Sequence, residues 1–299
     1  MNVLSEAHVN EVIAKCEVLK AAGLWAREPK LRPRAWIQNF SPVDRPTAAF
    51  LLDKFTFYNA DLTSKLLIAS YNSLGDGMAK SVNPKSQQEI LSGLSSAILT
   101  PVKGESPNPT DSGYLVCRMA RQSLHIDDSY VLDTDNALQH AYHGGTVIFV
   151  DDFVGSGDQF LTTWKLTNPA NLSFQDAYSK SGFLAIYVTL VVTDFGLGNI
   201  RRTAPNVSIC ATHILSEKST IRGILSENPG MAPAVESLLE RYSTRLTPSE
   251  QYMSPPEYLK YGYKKRGLLL GFDHSVPDAT LPIFWSQGTN NWEPLIERS

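Results

Sequence analysis

The sequence predicts an α/β fold, a mainly parallel sheet with helices on both faces. Three observations carry that expectation. Short β-rich runs alternate with helical stretches between Ser95 and His213, and strand–helix–strand alternation at this spacing builds parallel sheets with right-handed crossovers. The run Phe183–Val192 is apolar except for Thr189, as expected of a strand buried on both faces. The run Thr146–Val150 leads into Asp151, Asp152 and a Gly155-Ser156-Gly157 loop, and open parallel sheets bind their ligands at such a carboxyl edge.

The elements follow in order. Val9, Ile13, Cys16 and Leu19 recur at a rough helical period. Pro33, Pro42 and Pro46 divide the region that follows. Phe50, Leu51, Leu52, Phe55, Phe57 and Tyr58 form a dense apolar cluster, expected to pack as core. Asp61 is placed to cap a helix carrying Leu62, Leu66 and Leu67, and a further helix is expected over Ser86–Leu94.

Strands are expected at Ala97–Val102, Thr146–Val150, Phe183–Val192 and Val207–Thr212, in a sheet of about five. Helices are expected over Thr110–Ser123 and Asp158–Lys165, with a loop and short helix in Thr193–Thr203. Ala232–Tyr242 reads as helical within a mixed C-terminal region. The expected organisation has three parts. A helical region, 1–94, packs on a core, 95–213, and an extension, 214–299, wraps it.

Composition sets limits. Hydrophobic residues make up 42% of the chain and charged residues 19%, ordinary values for a globular protein. The net charge of −3 gives no bulk electrostatic argument for nucleic acid. Three cysteines without a Cys-x-x-Cys spacing argue against a zinc site or a disulfide framework. The longest apolar run is too short to cross a bilayer, and the N-terminus lacks a signal-peptide pattern, so a cytoplasmic protein is expected.

The chemistry concentrates in Val147–Gln159, VIFVDDFVGSGDQ. A glycine loop opening a helix offers backbone N–H groups to an anion. Gly155 and Gly157 let the chain approach a phosphate, and Ser156 adds a hydroxyl. Two carboxylates at contact with that phosphate would repel it, so Asp151 and Asp152 suit the neighbouring ribose hydroxyls. A phosphate beside a diol describes a ribose 5-phosphate.

This stretch resembles the PRPP-binding motif of type I phosphoribosyltransferases. The resemblance implies a phosphoribosyltransferase-like (Rossmann-like) core in which Asp151 and Asp152 grip the ribose. Gly155, Ser156, Gly157, Asp158 and Gln159 would then hold the 5-phosphate. Gln159 stands where that loop usually closes on Thr or Ser, and Asp158 adds a negative charge. A diphosphate loop is implied at Lys103–Gly113, with Lys103, Ser112 and Gly113 as its ligands, and a catalytic flap at His125–Gly145. Phe153, Asp194 and Phe195 would lie on the base or leaving-group side. Mg²⁺ would arrive with the substrate's diphosphate.

The whole chain resembles the PRTase-CE family of bacterial conflict and antiphage systems. Beyond the loop, the support is Trp36 and Phe40 near the start and the tail from Gly271 to Trp285, with Trp292 and Pro294. Within that tail, His274 and Asp278 are either pocket-lining or structural.

Two functions remain open. One is an enzyme that transfers or cleaves at the anomeric carbon of PRPP or a nucleotide. The other is a non-catalytic, nucleotide-sensing or partner-binding subunit, whose partner could be a retron reverse transcriptase with its RNA–DNA hybrid or another defence-operon protein. A homodimer is possible by the same resemblance.

Overall fold

The computed structural model describes residues 5–74, 87–103, 112–247 and 256–298. The elements begin with α1 (Glu6–Ala21), α2 (Pro33–Gln38), α3 (Arg45–Asp53), β1 (Thr56–Tyr58), α4 (Ala60–Asn72) and α5 (Gln87–Leu94). Next come β2 (Ile98–Pro101), α6 (Ser112–Leu124), α7 (Thr134–Tyr142), β3 (Val147–Val154), α8 (Asp158–Lys165), α9 (Phe174–Ser181), β4 (Ala185–Thr193), α10 (Asp194–Thr203) and β5 (Ser208–Leu215). The chain closes with α11 (Ile221–Glu227), α12 (Ala232–Ser243), α13 (Pro256–Tyr261) and β6 (Leu270–Phe272).

The chain divides into two compact units, Met1–Ala60 with Glu217–Ser299, and Asp61–Ser216. The two ends of the chain therefore share a unit, and α5 and nearly all of α4 belong with the sheet.

The unit built from the two ends has an aromatic core. Trp36 is fully buried, stacks on Phe284 with centroids 5.1 Å apart, and meets Phe40 edge-on at 4.8 Å. Its indole Nε1 donates to Ile283 O at 2.7 Å, which satisfies the one polar atom the burial strands. Trp285 Nε1 donates to Thr280 O at 3.0 Å, and Thr280 Oγ1 donates to Leu270 O at 2.8 Å. The proline-rich tail thus folds onto the short parallel pair β1–β6. His274 sits beside Phe272, ring centroids 5.3 Å apart.

The other unit carries the four-stranded parallel sheet, in the order β2-β3-β4-β5. It has four strands among the described residues where about five were expected. The missing edge is a single parallel bridge, Leu99↔Val131, with Leu132 N donating to Leu99 O at 2.9 Å. All nine residues of β4 are buried, in keeping with its β-branched, apolar sequence.

That bridge fixes the topology. The chain leaves β2, runs through α6 to Val131 on one side, then returns through α7 to β3 on the other. The winding direction reverses between β2 and β3, and right-handed crossovers put α6 and α7 on opposite faces. Ala137, Leu138 and Ala141 of α7 accordingly share one core with Phe160 and Trp164 of α8 and Ile200 of α10. Helix α6 packs on β2 and β3, and Ser123 at its end meets Ser64 of α4, Oγ to Oγ, at 3.2 Å. Ligand crevices of open parallel sheets lie at such a reversal, outside the carboxyl ends of the strands. Here those ends are Pro101–Lys103 and Asp151–Gly155.

Several expectations need correction. Asp61 lies inside the first turn of α4, paired with Lys65 at 2.7 Å, rather than at its cap. β3 runs through the acid pair to Val154, because pairing with β4 continues as far as Val154↔Val192. The stretch assigned to a flap contains α7, whose apolar face enters the core. Two of its acids are helix caps: Asp127 Oδ1 accepts from Ser129 N at 2.9 Å, and Asp133 Oδ1 from Asn136 N at 2.9 Å.

Replacing Trp36 by Ala should destabilise the protein by about 3–5 kcal/mol, the range for deleting a buried aromatic side chain. Urea unfolding checks this, and a loss below about 1 kcal/mol would contradict the central place given to Trp36.

Candidate functional site

The site starts with two adjacent acids inside a strand. Asp151 is 2% exposed and Asp152 5%. Burial of a carboxylate without compensation is costly, and the group responds by holding its proton. Asp151 is held well above the ordinary carboxylate range, first by burial and then by the neighbouring charge of Asp152. Its compensation is a phenol: Tyr187 Oη donates to Asp151 Oδ2 at 3.1 Å. Asp152 N donates to Asp151 Oδ1 at 3.0 Å.

Tyr187 is held in turn. It is buried in the first half of β4 and stacks on Phe160 of α8, centroids 4.3 Å apart. Burial raises its own pKa well above the usual value, with the Asp151 charge adding to it. Cys117 of α6 is pushed up to about 12, mainly by burial and further by the Asp151 charge. The thiol is therefore no nucleophile at neutral pH.

The loop follows three residues after the acids. Gly157 takes φ 82° as the residue before α8, a left-handed conformation that favours glycine. A side chain there would also strike Ile200, at 2.8 Å from its Cγ1. Ser156 Oγ donates to Asp158 Oδ2 at 2.7 Å, and Asp158 N donates back to Ser156 Oγ at 3.3 Å. The loop's only hydroxyl is thus engaged with its own acid.

Helix α10 clamps the loop from outside. Thr193 Oγ1 donates to Gly155 O at 2.5 Å and accepts from Gly196 N at 2.9 Å, capping α10 at the same time. Asn199 Nδ2 donates to Ser156 O at 2.9 Å. A Cβ on Gly196 would lie 2.7 Å from Gly155 O, so glycine is what lets the helix come this close. The clamp brings Asp194 and Phe195, at the start of α10, beside the loop. Both are exposed, and Asp194 Oδ1 accepts from Phe195 N at 2.7 Å.

The structure thus groups Asp151, Asp152, Phe153, Gly155, Ser156, Gly157, Asp158 and Gln159 with Asp194 and Phe195 along one edge. Of the expected diphosphate ligands, Lys103 follows the neighbouring strand β2, and its ammonium stands 3.6 Å from Asp135. Gly113 packs on β2, where a Cβ would sit 2.8 Å from Val102 O, and Ser112 opens α6. Residues 104–111 of that loop lie outside the described residues.

Sequence reasoning missed Tyr187, Thr193 and Asn199. A signal existed for two of them. A tyrosine inside a buried, nearly all-apolar strand needs a polar partner, and Thr193 stands three residues before Gly196 at a strand-to-helix junction, an N-cap spacing.

The model of the PRTase-CE family matches residues 33–298. No curated protein matches the chain.

Asp151→Asn keeps the shape of the side chain and its acceptor for Tyr187 while removing the charge. A carboxyl whose folded pKa is raised stabilises fully below its ordinary value of 3.8, and loses that stabilisation as pH rises through the folded value. The variant should therefore match the parent near pH 4 and exceed its Tm at pH 8 by at least about 2 °C, the equivalent of roughly 1 kcal/mol. A variant less stable by the same margin at every pH would show that Asp151 is not held protonated.

Proposed function

The chain belongs to the PRTase-CE family, and from that membership we propose that the edge of β3 binds a ribose 5-phosphate, as PRPP or a nucleotide, and acts at its anomeric carbon. The observation that carries the reading is the acid pair followed within three residues by a glycine loop on a helix N-terminus, at the sheet's point of reversal. Backbone N–H groups of 155–159 suit the phosphate. The Asp151 and Asp152 carboxyls suit the 2- and 3-hydroxyls, with Tyr187 and the clamp from α10 fixing both parts in register.

Transfer or cleavage at this carbon breaks the bond from C1 to the diphosphate or base and forms one to an acceptor. The transition state has oxocarbenium character, and catalysis by these residues would consist of positioning the sugar and placing negative charge near it. Among the described residues no three His, Cys, Asp or Glu side chains converge. A Mg²⁺ would arrive with the substrate, bound through its diphosphate oxygens, and would offset the leaving group's charge. In a bacterial antiphage system, the setting that the family resemblance implies, the outcome would be damage to a nucleotide pool or an invader.

A second reading has one observation in its favour. Ser156 already donates to Asp158, so the loop supplies its own anion where a phosphate would sit. A non-catalytic subunit, sensing a nucleotide or gripping a partner such as a reverse transcriptase with its RNA–DNA hybrid, would need no substrate phosphate there.

Calorimetric titration of the full chain with PRPP and Mg²⁺ separates the two. The enzyme reading expects saturable binding, weakened at least about tenfold (roughly 1.4 kcal/mol) in the Asp151→Asn/Asp152→Asn variant. Absence of binding, or equal binding by both proteins, would overturn it in favour of the second.

A further inference from the structure

Asp158 is the first residue of α8, and its side chain turns back onto the loop. Ser156, only 7% exposed, donates its hydroxyl to Asp158 Oδ2 at 2.7 Å, and Asp158 N donates to Ser156 Oγ at 3.3 Å. Two of the loop's donors are thus engaged with each other. The backbone beneath them is held in place, since Asn199 Nδ2 donates to Ser156 O and Thr193 Oγ1 to Gly155 O. The Asp158 side chain is short and starts one residue beyond Gly157. Its carboxylate therefore stays close to any anion seated on the loop, even after that anion has displaced it from Ser156.

The charges can be weighed. A helix N-terminus carries about +0.5 of an elementary charge. Asp158 carries a full negative one, so together they present about −0.5 to the loop. Arg202 approaches at one remove, donating to Asn199 Oδ1 while Asn199 holds Ser156 O. Asp194, exposed at the start of α10, adds to the negative side. Each further negative charge on a bound phosphate therefore weakens binding here, where on an ordinary helix end it would strengthen it.

A phosphomonoester carries nearly two negative charges at neutral pH. A phosphate with two substituents carries one. The hydrogen bonds point the same way. A monoester presents three terminal oxygens and a substituted phosphate two, and the Ser156 hydroxyl and Asp158 N–H are already committed.

We propose that the β3 edge selects a ribonucleotide whose 5-phosphate is substituted, as in a dinucleotide, over one that ends in a free phosphate, and that Asp158 sets this preference. The inference rests on the reading of this edge as a ribose 5-phosphate site and narrows it. The net charge of −3 gives a nucleic-acid strand no bulk attraction, so the ligand class is a small dinucleotide.

Ribose 5-phosphate and its methyl ester are the probes, differing by one charge and one methyl group. Calorimetric titrations of the full chain near pH 7.5, where the monoester has lost its second proton, compare them without Mg²⁺. The parent should bind the methyl ester about threefold more tightly. Asp158→Asn removes the charge and keeps an acceptor for the Ser156 hydroxyl. In that variant the order should reverse, ribose 5-phosphate binding about threefold more tightly, because the helix end now attracts the second charge. The whole swing is about tenfold, roughly 1.4 kcal/mol. Ribose 5-phosphate bound by the parent as tightly as its ester, or an unchanged order in the variant, would overturn the inference and leave the ribose-phosphate reading in place. No binding of either compound by either protein would overturn both. A short RNA strand bound more tightly than diadenosine diphosphate would overturn the dinucleotide assignment.

Discussion

Two adjacent carboxyls buried in the middle of a sheet constrain the rest of the Asp61–Ser216 unit. Asp151 and Asp152 sit in β3, where pairing continues on either side of them. Neither can be left as an isolated ion at that depth. The surroundings respond in two ways: Asp151 retains its proton more firmly, and Tyr187 donates to it. The second response needs a residue of the neighbouring strand, so the acid pair ties β3 to β4. Structural selection alone would favour apolar residues here, as in the remainder of β3 and β4. Keeping two acids is a cost that points to function.

The loop after the acids is positioned from α10. Thr193 and Asn199 hold the carbonyls of Gly155 and Ser156, while Gly157 and Gly196 remove the side chains that would keep the two helices apart. The loop's N–H groups are then free of strand duties and held in one arrangement. Preorganisation of this kind is what an anion site requires, because no ordering remains to be done on binding. Asp158 qualifies the picture. Its carboxylate occupies the electropositive helix end in the free protein, so an incoming phosphate must compete with it. Whether a ligand or Asp158 holds that position is the physical difference between a nucleotide-processing site and a vestigial one.

Much of this was legible in the sequence, and the limits have physical causes. The four strands were located because each carries an apolar run, and β4 is buried throughout. The acid pair and loop were legible because residue type and order encode the chemistry locally. Strand ends were not: β3 continues through Asp151 and Asp152 because a neighbouring strand pairs with it, information that no local pattern contains. Residues 125–145 were assigned a flap through the resemblance alone, yet Asp127 and Asp133 are caps and Ala137, Leu138 and Ala141 are core. Tyr187, Thr193 and Asn199 depend on register and helix placement, which are properties of the folded chain. The pooling of residues 1–60 with 217–299 is likewise a long-range result.

The most direct measurement is a crystal structure of the protein with ribose 5-phosphate. A ribose-phosphate site predicts the phosphate on the backbone N–H groups of 155–159, the Ser156–Asp158 hydrogen bond broken, and the 2- and 3-hydroxyls on Asp151 and Asp152. Ligand bound elsewhere, or an edge of β3 that stays closed by Asp158 in crystals saturated with the compound, would contradict it.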